Sequence, residues 1–249
     1  MRTTAATMGR IVAQLKHDPR TVALVLVIPP VLLTLVYYIF VDVPTPPGQP
    51  GMFDRIGPIM LVILPMLMMF IVTSVVMLRE RMSGTMERIF TTPLTQLSLV
   101  VSYAVVFTIL AFFQSLILGV LLFPVFDVSI EGNWGLLLLV AFLCALFGIA
   151  FGLLASAFAE NEFQAVQFMP IFVGPQLLLC GLFVAPENML RVLEVVANWL
   201  PMTWAVDVAK ETLTSADISS DSWVRLGGLV AVTVVALILA SASMRRSTK

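Results

Sequence analysis

The chain has 249 residues, of which 59% are hydrophobic and only 12% charged; 14 basic and 15 acidic side chains leave a formal net charge of −1. A mean hydropathy of +1.02 belongs to the membrane class, because a soluble domain of this size has no way to hide so much apolar surface. The charge balance gives no case for nucleic acid as a partner. Cys144 and Cys180 both fall inside apolar runs, which points to free buried thiols and away from a disulfide framework.

In chain order, residues 1–19 come first. Met8, Ile11, Val12 and Leu15 keep the i, i+3, i+4, i+7 spacing, with Arg10, Gln14 and His17 on the far side. This pattern predicts an amphipathic helix in the membrane interface, ended by Asp18-Pro19. A solvated basic tail that only sets topology is the plainer alternative. The basic region is too long for a cleaved signal peptide, and the apolar run after it is long enough to span.

A span needs about 20 mostly apolar residues. Six stretches qualify: 21–42, 57–78, 99–124, 134–158, 163–185 and 223–244. The expected fold is an all-α membrane protein, a single transmembrane domain over 1–249. The fifth stretch carries Pro170, Gly174, Pro175 and Gly181, so a kink or two half-helices are expected there. Basic residues concentrate in the first, third and last polar segments, which places both termini and the second-to-third connection in the cytoplasm.

That connection, residues 79–98, is unusually charged. Met82, Met86, Ile89 and Phe90 form one apolar stripe, Glu80, Arg81, Glu87 and Arg88 cluster opposite, and Gly84 lies within the polar face. Thr92-Pro93 breaks the pattern, so two short helices should meet near Pro93. Either the charged face docks a cytoplasmic partner or the segment merely connects two spans. On the outer side, 186–222 is the longest polar segment. Leu190, Leu193, Val196 and Ala197 keep helical spacing there, and Pro201 separates two expected short helices on or in the outer leaflet. Trp134, Trp199, Trp204 and Trp223 all fall near that interface, as anchors do.

No phosphate loop of the GxxxxGK type followed by Ser or Thr occurs, so ATP binding by this chain is not expected. No His, Cys or carboxylate cluster suggests a metal, and one histidine excludes a plausible Ser-His-Asp arrangement. A non-catalytic chain without its own cofactor is expected. The spans carry no clearly buried Asp, Glu, Lys or Arg of the kind an ion-coupled transporter uses, and no ring of charges suggests a channel. They do carry amides and phenols. Tyr37, Tyr38, Gln114, Gln167 and Gln176 are candidates for a substrate path, and gluing helices together is the alternative role. Gly148, Gly152 and Ser156, spaced by four, form a small-residue ridge for packing within the chain or between two copies.

The run "RERMSGTMERIFTTPLTQLSL" resembles the cytoplasmic coupling segment of ATP-binding-cassette type-2 exporter permeases, close to E-R-x-x-G-T-x-E-x-L-x-x-x-P-L. Its positions are Glu80, Arg81, Gly84, Thr85, Glu87, Ile89, Pro93 and Leu94, with Arg88 on the same polar face. "NWLPMTWAVDVAKETL" is similar to the family's N-P-L-T-Y-A-x-D-A-L-R region, matched at Pro201, Thr203, Trp204, Ala205 and Asp207. Two departures stand out. Ser102-Tyr103 occupies the place of a frequent Gly-Lys, and Lys210 or Glu211 stands where an arginine often closes the second motif.

The resemblance implies a transmembrane subunit of an ATP-driven exporter, without a fused ATPase. Its partners would be two ABC ATPase subunits, which would carry the ATP and Mg, and a second permease, identical or related, all within the bilayer of a bacterial inner membrane. Residues Glu80 to Pro93 would form the coupling helix. Among relatives the antibiotic- and multidrug-resistance permeases of the daunorubicin-resistance type are the nearest in character, and an amphipathic or lipid-like cargo suits spans with few polar groups. Polysaccharide or lipid-linked glycan export, and a secondary transporter needing no ATPase, are the alternatives.

Overall fold

The computed structural model describes residues 2–46, 49–83 and 95–243. All regular secondary structure among the described residues is helical, with no strand. The helices are α1 (Arg2–His17), α2 (Pro19–Phe40), α3 (Met52–Met82), α4 (Gln96–Val120), α5 (Trp134–Ser156), α6 (Glu162–Phe172), α7 (Gly174–Leu179), α8 (Arg191–Asn198), α9 (Pro201–Thr214) and α10 (Ser220–Ser243). A π-helical turn, Leu121–Val125, continues α4 and contains Pro124.

Among the described residues, five helices, α2 to α5 and α10, are long and apolar enough to cross a membrane. The remaining expected span, 163–185, is not a single helix. It divides at Val173 into α6 of 11 residues and α7 of 6. Pro170 and Pro175 have no N–H to give the preceding turn, and a six-residue helix rises only about 9 Å. The left-handed Gly181, at φ +84°, then turns the chain away. The expected pair of short helices near Pro93 falls within residues 84–94, outside the described residues.

The centre of the bundle is the α3–α5 pair. The small-residue ridge explains how closely these helices approach. A Cβ at Gly148 would meet the Met66 carbonyl oxygen at 2.3 Å, and one at Gly152 would meet Thr73 Oγ1 at 2.1 Å and the Phe70 carbonyl at 2.5 Å. The ridge therefore packs within the chain. Thr73 Oγ1 donates to the Met69 carbonyl at 2.6 Å, which satisfies it inside its own helix. Around the pair lie α2, α4, α6, α9 and α10. Two large apolar clusters fill the interior, beside a small one of Leu78, Ala159 and Ala165. One includes Leu61, Phe70, Phe147 and Met202; the other includes Ile11, Met69, Met77, Leu99, Tyr103 and Phe107.

The amphipathic α1 packs on α4, not on lipid alone. Ile11 is fully buried in the second cluster, Met8 and Leu15 pack against it, and Val12 stays exposed. Asp18 caps α2 by accepting from the Thr21 N–H at 3.2 Å and its hydroxyl at 2.6 Å. These hydrogen bonds hold its carboxyl below the usual carboxylate range.

Candidate coupling site

The hydropathy falls at Leu78, but α3 runs on to Met82. Successive side chains on a helix point about 100° apart. Arg79, Glu80 and Arg81 therefore fan out around the end of α3, and each reaches a different helix. Arg79 forms a fork on Glu162 at the start of α6, Nε to Oε1 at 2.7 Å and Nη2 to Oε2 at 2.9 Å. Glu80 accepts from Arg10 Nη1 of α1 at 2.7 Å. Arg81 donates to the carbonyl of Ser156, the last residue of α5, where the helix dipole and free carbonyls favour a cation.

The three ties differ in strength. Arg79 and Glu162 are both half exposed, so their pair contributes about 0–1 kcal/mol. Arg79 nonetheless holds the Glu162 carboxyl below its ordinary range. Glu80 is 6% exposed and Arg10 32%. Removing Arg10 would leave a nearly buried carboxylate unmatched, which costs more than a surface pair returns. The Tyr103 hydroxyl of α4 is buried against this pair.

Of the expected coupling residues, Glu80 and Arg81 are thus brought together at the base of α3 and held by partners in the chain. Gly84, Thr85, Glu87, Arg88 and Pro93 lie outside the described residues. Three members of this site were not among the expected coupling residues: Arg10 and Glu162 carried no motif, and Arg79 opens the charged run without matching a motif position. Glu162 had one signal: it is an acid in a short turn at the end of the bundle where basic residues gather.

The outer motif builds a second polar knot at the far end. Pro201 opens α9 at a position where its missing N–H is no loss. Trp204 Nε1 donates to the Asn198 carbonyl at 2.7 Å. Asp207 pairs with Arg225 of α10, and Arg225 Nε reaches Asp221 at 2.9 Å. Burial pushes the Asp207 carboxyl up, against the pull of Arg225 and Lys210. Lys210 Nζ donates to the carbonyl of Gly181 at 2.6 Å. Thr203 is fully buried, and its hydroxyl has no partner among the described residues.

The substrate-path candidates do not converge. Tyr37 stacks on Phe126 with centroids 4.2 Å apart and meets Phe53 edge-on at 5.0 Å, while Tyr38 is exposed. Gln114 is fully buried on α4, and neither end of its amide has a partner among the described residues. Gln167 is exposed on α6. Gln176 on α7 uses its amide within the chain: Oε1 accepts from the Met202 N–H at 3.3 Å, and Nε2 donates to the Phe172 carbonyl at 3.1 Å. It supplies an acceptor to one of the otherwise unpaired first-turn N–H groups of α9.

Residues 3–213 match the family model described as ABC-2 type transporter. Among curated proteins the chain is 29% identical, over 71% of its length, to "Probable multidrug ABC transporter permease YbhR" of Escherichia coli K12. It is 25% identical over 70% of its length to "Probable multidrug ABC transporter permease YbhS" of the same strain. It is 26% identical over 68% of its length to "ABC transporter G family member 20" of Dictyostelium discoideum. The matched part covers 48%, 44% and 24% of those relatives, so the chain spans about half their length or less. The family model, the spanning helices and the charged segment at the base of α3 agree: the chain is a multi-pass membrane protein that belongs to the ABC-2 type transporter permeases.

Proposed function

We propose that this chain is the membrane half of an ATP-driven exporter of drugs or other amphipathic compounds, driven through residues 79–98 by separate ATPase subunits. The observation that carries this reading is the fan of Arg79, Glu80 and Arg81, held by α6, α1 and α5. A push on the segment that follows α3 would then reach four helices at once. A segment that only connected two spans would have no need of such ties.

In this reading two ATPase subunits bind ATP and Mg, and two permeases, identical or related, enclose the pathway. Both termini and residues 79–98 face the cytoplasm of a bacterial inner membrane. ATP binding biases two states that differ in cargo affinity. The multidrug description of the two Escherichia coli relatives supports the cargo class. Tyr38 and Gln167 are the exposed members of the candidate path and the first positions at which to seek cargo contact.

The test is co-purification. An ATP-binding-cassette subunit should accompany the chain from its host in mild detergent, and Glu87→Arg, which reverses a charge on the proposed docking face, should release it. Retention of both ATPase and transport by the variant would refute the coupling role.

A further inference from the structure

A groove of about 470 Å³ runs between the end of α1, the start of α2 and the middle of α4. Val22 and Ala23 form one wall, Val106, Leu110 and Phe113 the other, and Val12, Leu15 and Pro19 close the end. Lys16 stands at its mouth. The Lys16 side chain is exposed and makes no ion pair among the described residues. Arg20, also exposed, follows four residues on at the same corner.

We infer that this groove binds an anionic phospholipid, with an acyl chain between α2 and α4 and the headgroup on Lys16. Three observations favour this occupant. The volume is that of a small-molecule site. Its walls belong to spanning helices, and α2 is the least buried of the five within the chain, so its outer face is open to an apolar occupant. Among the described residues, its only charged lining group is a cation at the junction of an interfacial helix with a span, the depth at which headgroups lie. A zwitterionic headgroup offers its phosphate but brings its own cation as well, so a headgroup of net negative charge matches the ammonium better. A lipid seated there touches α1, α2 and α4 together, and so steadies the helix that carries Arg10.

The purified full chain is delipidated, and retention of phosphatidylglycerol and of phosphatidylcholine with the same acyl chains is compared by native mass spectrometry. The expected result is preferential retention of phosphatidylglycerol. Lys16→Gln should lower that preference about fivefold, the worth of one basic group at an anionic surface, with phosphatidylcholine unchanged. Ala23→Trp, which fills the groove, should remove the retained lipid of either kind. Unreactive Cys144 and Cys180 would certify that both variants remain folded. Equal retention of the two lipids, or an unchanged preference in Lys16→Gln, would overturn the inference. So would an Ala23→Trp variant that splits a dimer while lipid retention persists, because the groove would then hold a second copy.

Discussion

Gly152→Ala should be among the most damaging single-methyl additions to this chain, and Gly227→Ala should not harm it. At Gly152 the new methyl would sit 2.1 Å from Thr73 Oγ1 and 2.5 Å from the Phe70 carbonyl. Ordinary contact begins near 3.4 Å, so the α3 and α5 axes must separate by about 1 Å. The Phe70 oxygen is backbone, and Thr73 is tied to Met69, so neither can swing aside. Overpacking of this kind costs about 1–3 kcal/mol. At Gly227, in the middle of α10, a Cβ meets nothing within 4 Å, and alanine gains up to about 1 kcal/mol of helix propensity. The buried thiols of Cys144 and Cys180 supply the assay, since a thiol-reactive dye reports their exposure on heating. At about 2–4 °C per kcal/mol for a chain of this size, Gly152→Ala should lower the midpoint by several degrees, and Gly227→Ala should hold or raise it. Equal shifts for the two would refute the account of the α3–α5 contact.

Other predictions follow from the polar ties. Gln176→Ala leaves the Met202 N–H without its acceptor, a loss of about 1–3 kcal/mol; Cys180, four residues away, should label sooner on warming while Cys144 remains protected. Simultaneous exposure of both thiols would contradict that local role. Glu211 accepts from the Ser222 hydroxyl and from the Ser219 N–H at 2.7 Å, and these bonds hold its carboxyl below its ordinary value of 4.5. A lowered folded value means stability that is present in full above about pH 4.5 and lost as pH falls through the lower value. The α9–α10 corner, followed by Trp223 fluorescence, should therefore loosen in acid, and Ser222→Ala should reduce that pH dependence. An acid transition unchanged by the substitution would assign it to other groups.

The spans were legible because hydropathy reports the bilayer directly. It does not report where a helix ends: α3 continues through Arg79, Glu80 and Arg81 because α6, α1 and α5 supply their partners, and those partners lie 70 or more residues away in sequence. Pro170, Gly174 and Pro175 marked the fifth stretch for a kink or a break, because their effect is local, but which of the two occurs depends on packing. The amphipathic face of α1 was readable too, but its seat on α4 depends on tertiary packing. The Gly148–Gly152 ridge announced a close approach without naming the partner helix. Gln176 and Gln114 show why the amides were undecidable: the same residue type caps α9 in one case and, in the other, lies fully buried without a partner among the described residues.

The most direct measurement of the central claim is a charge exchange between Arg10 and Glu80. The full complex is reconstituted in lipid, and cargo-stimulated ATP hydrolysis and transport are compared for Arg10→Glu, Glu80→Arg and the double exchange. Each single variant sets like charges against each other where Arg10 Nη1 and Glu80 Oε1 now meet at 2.7 Å, and should cut coupled transport roughly tenfold or more while ATPase binding persists. The account predicts that the double exchange recovers much of that loss. Inert single variants, or a double variant no better than the worse single, would contradict the claim that this tie carries motion from the coupling segment into the bundle.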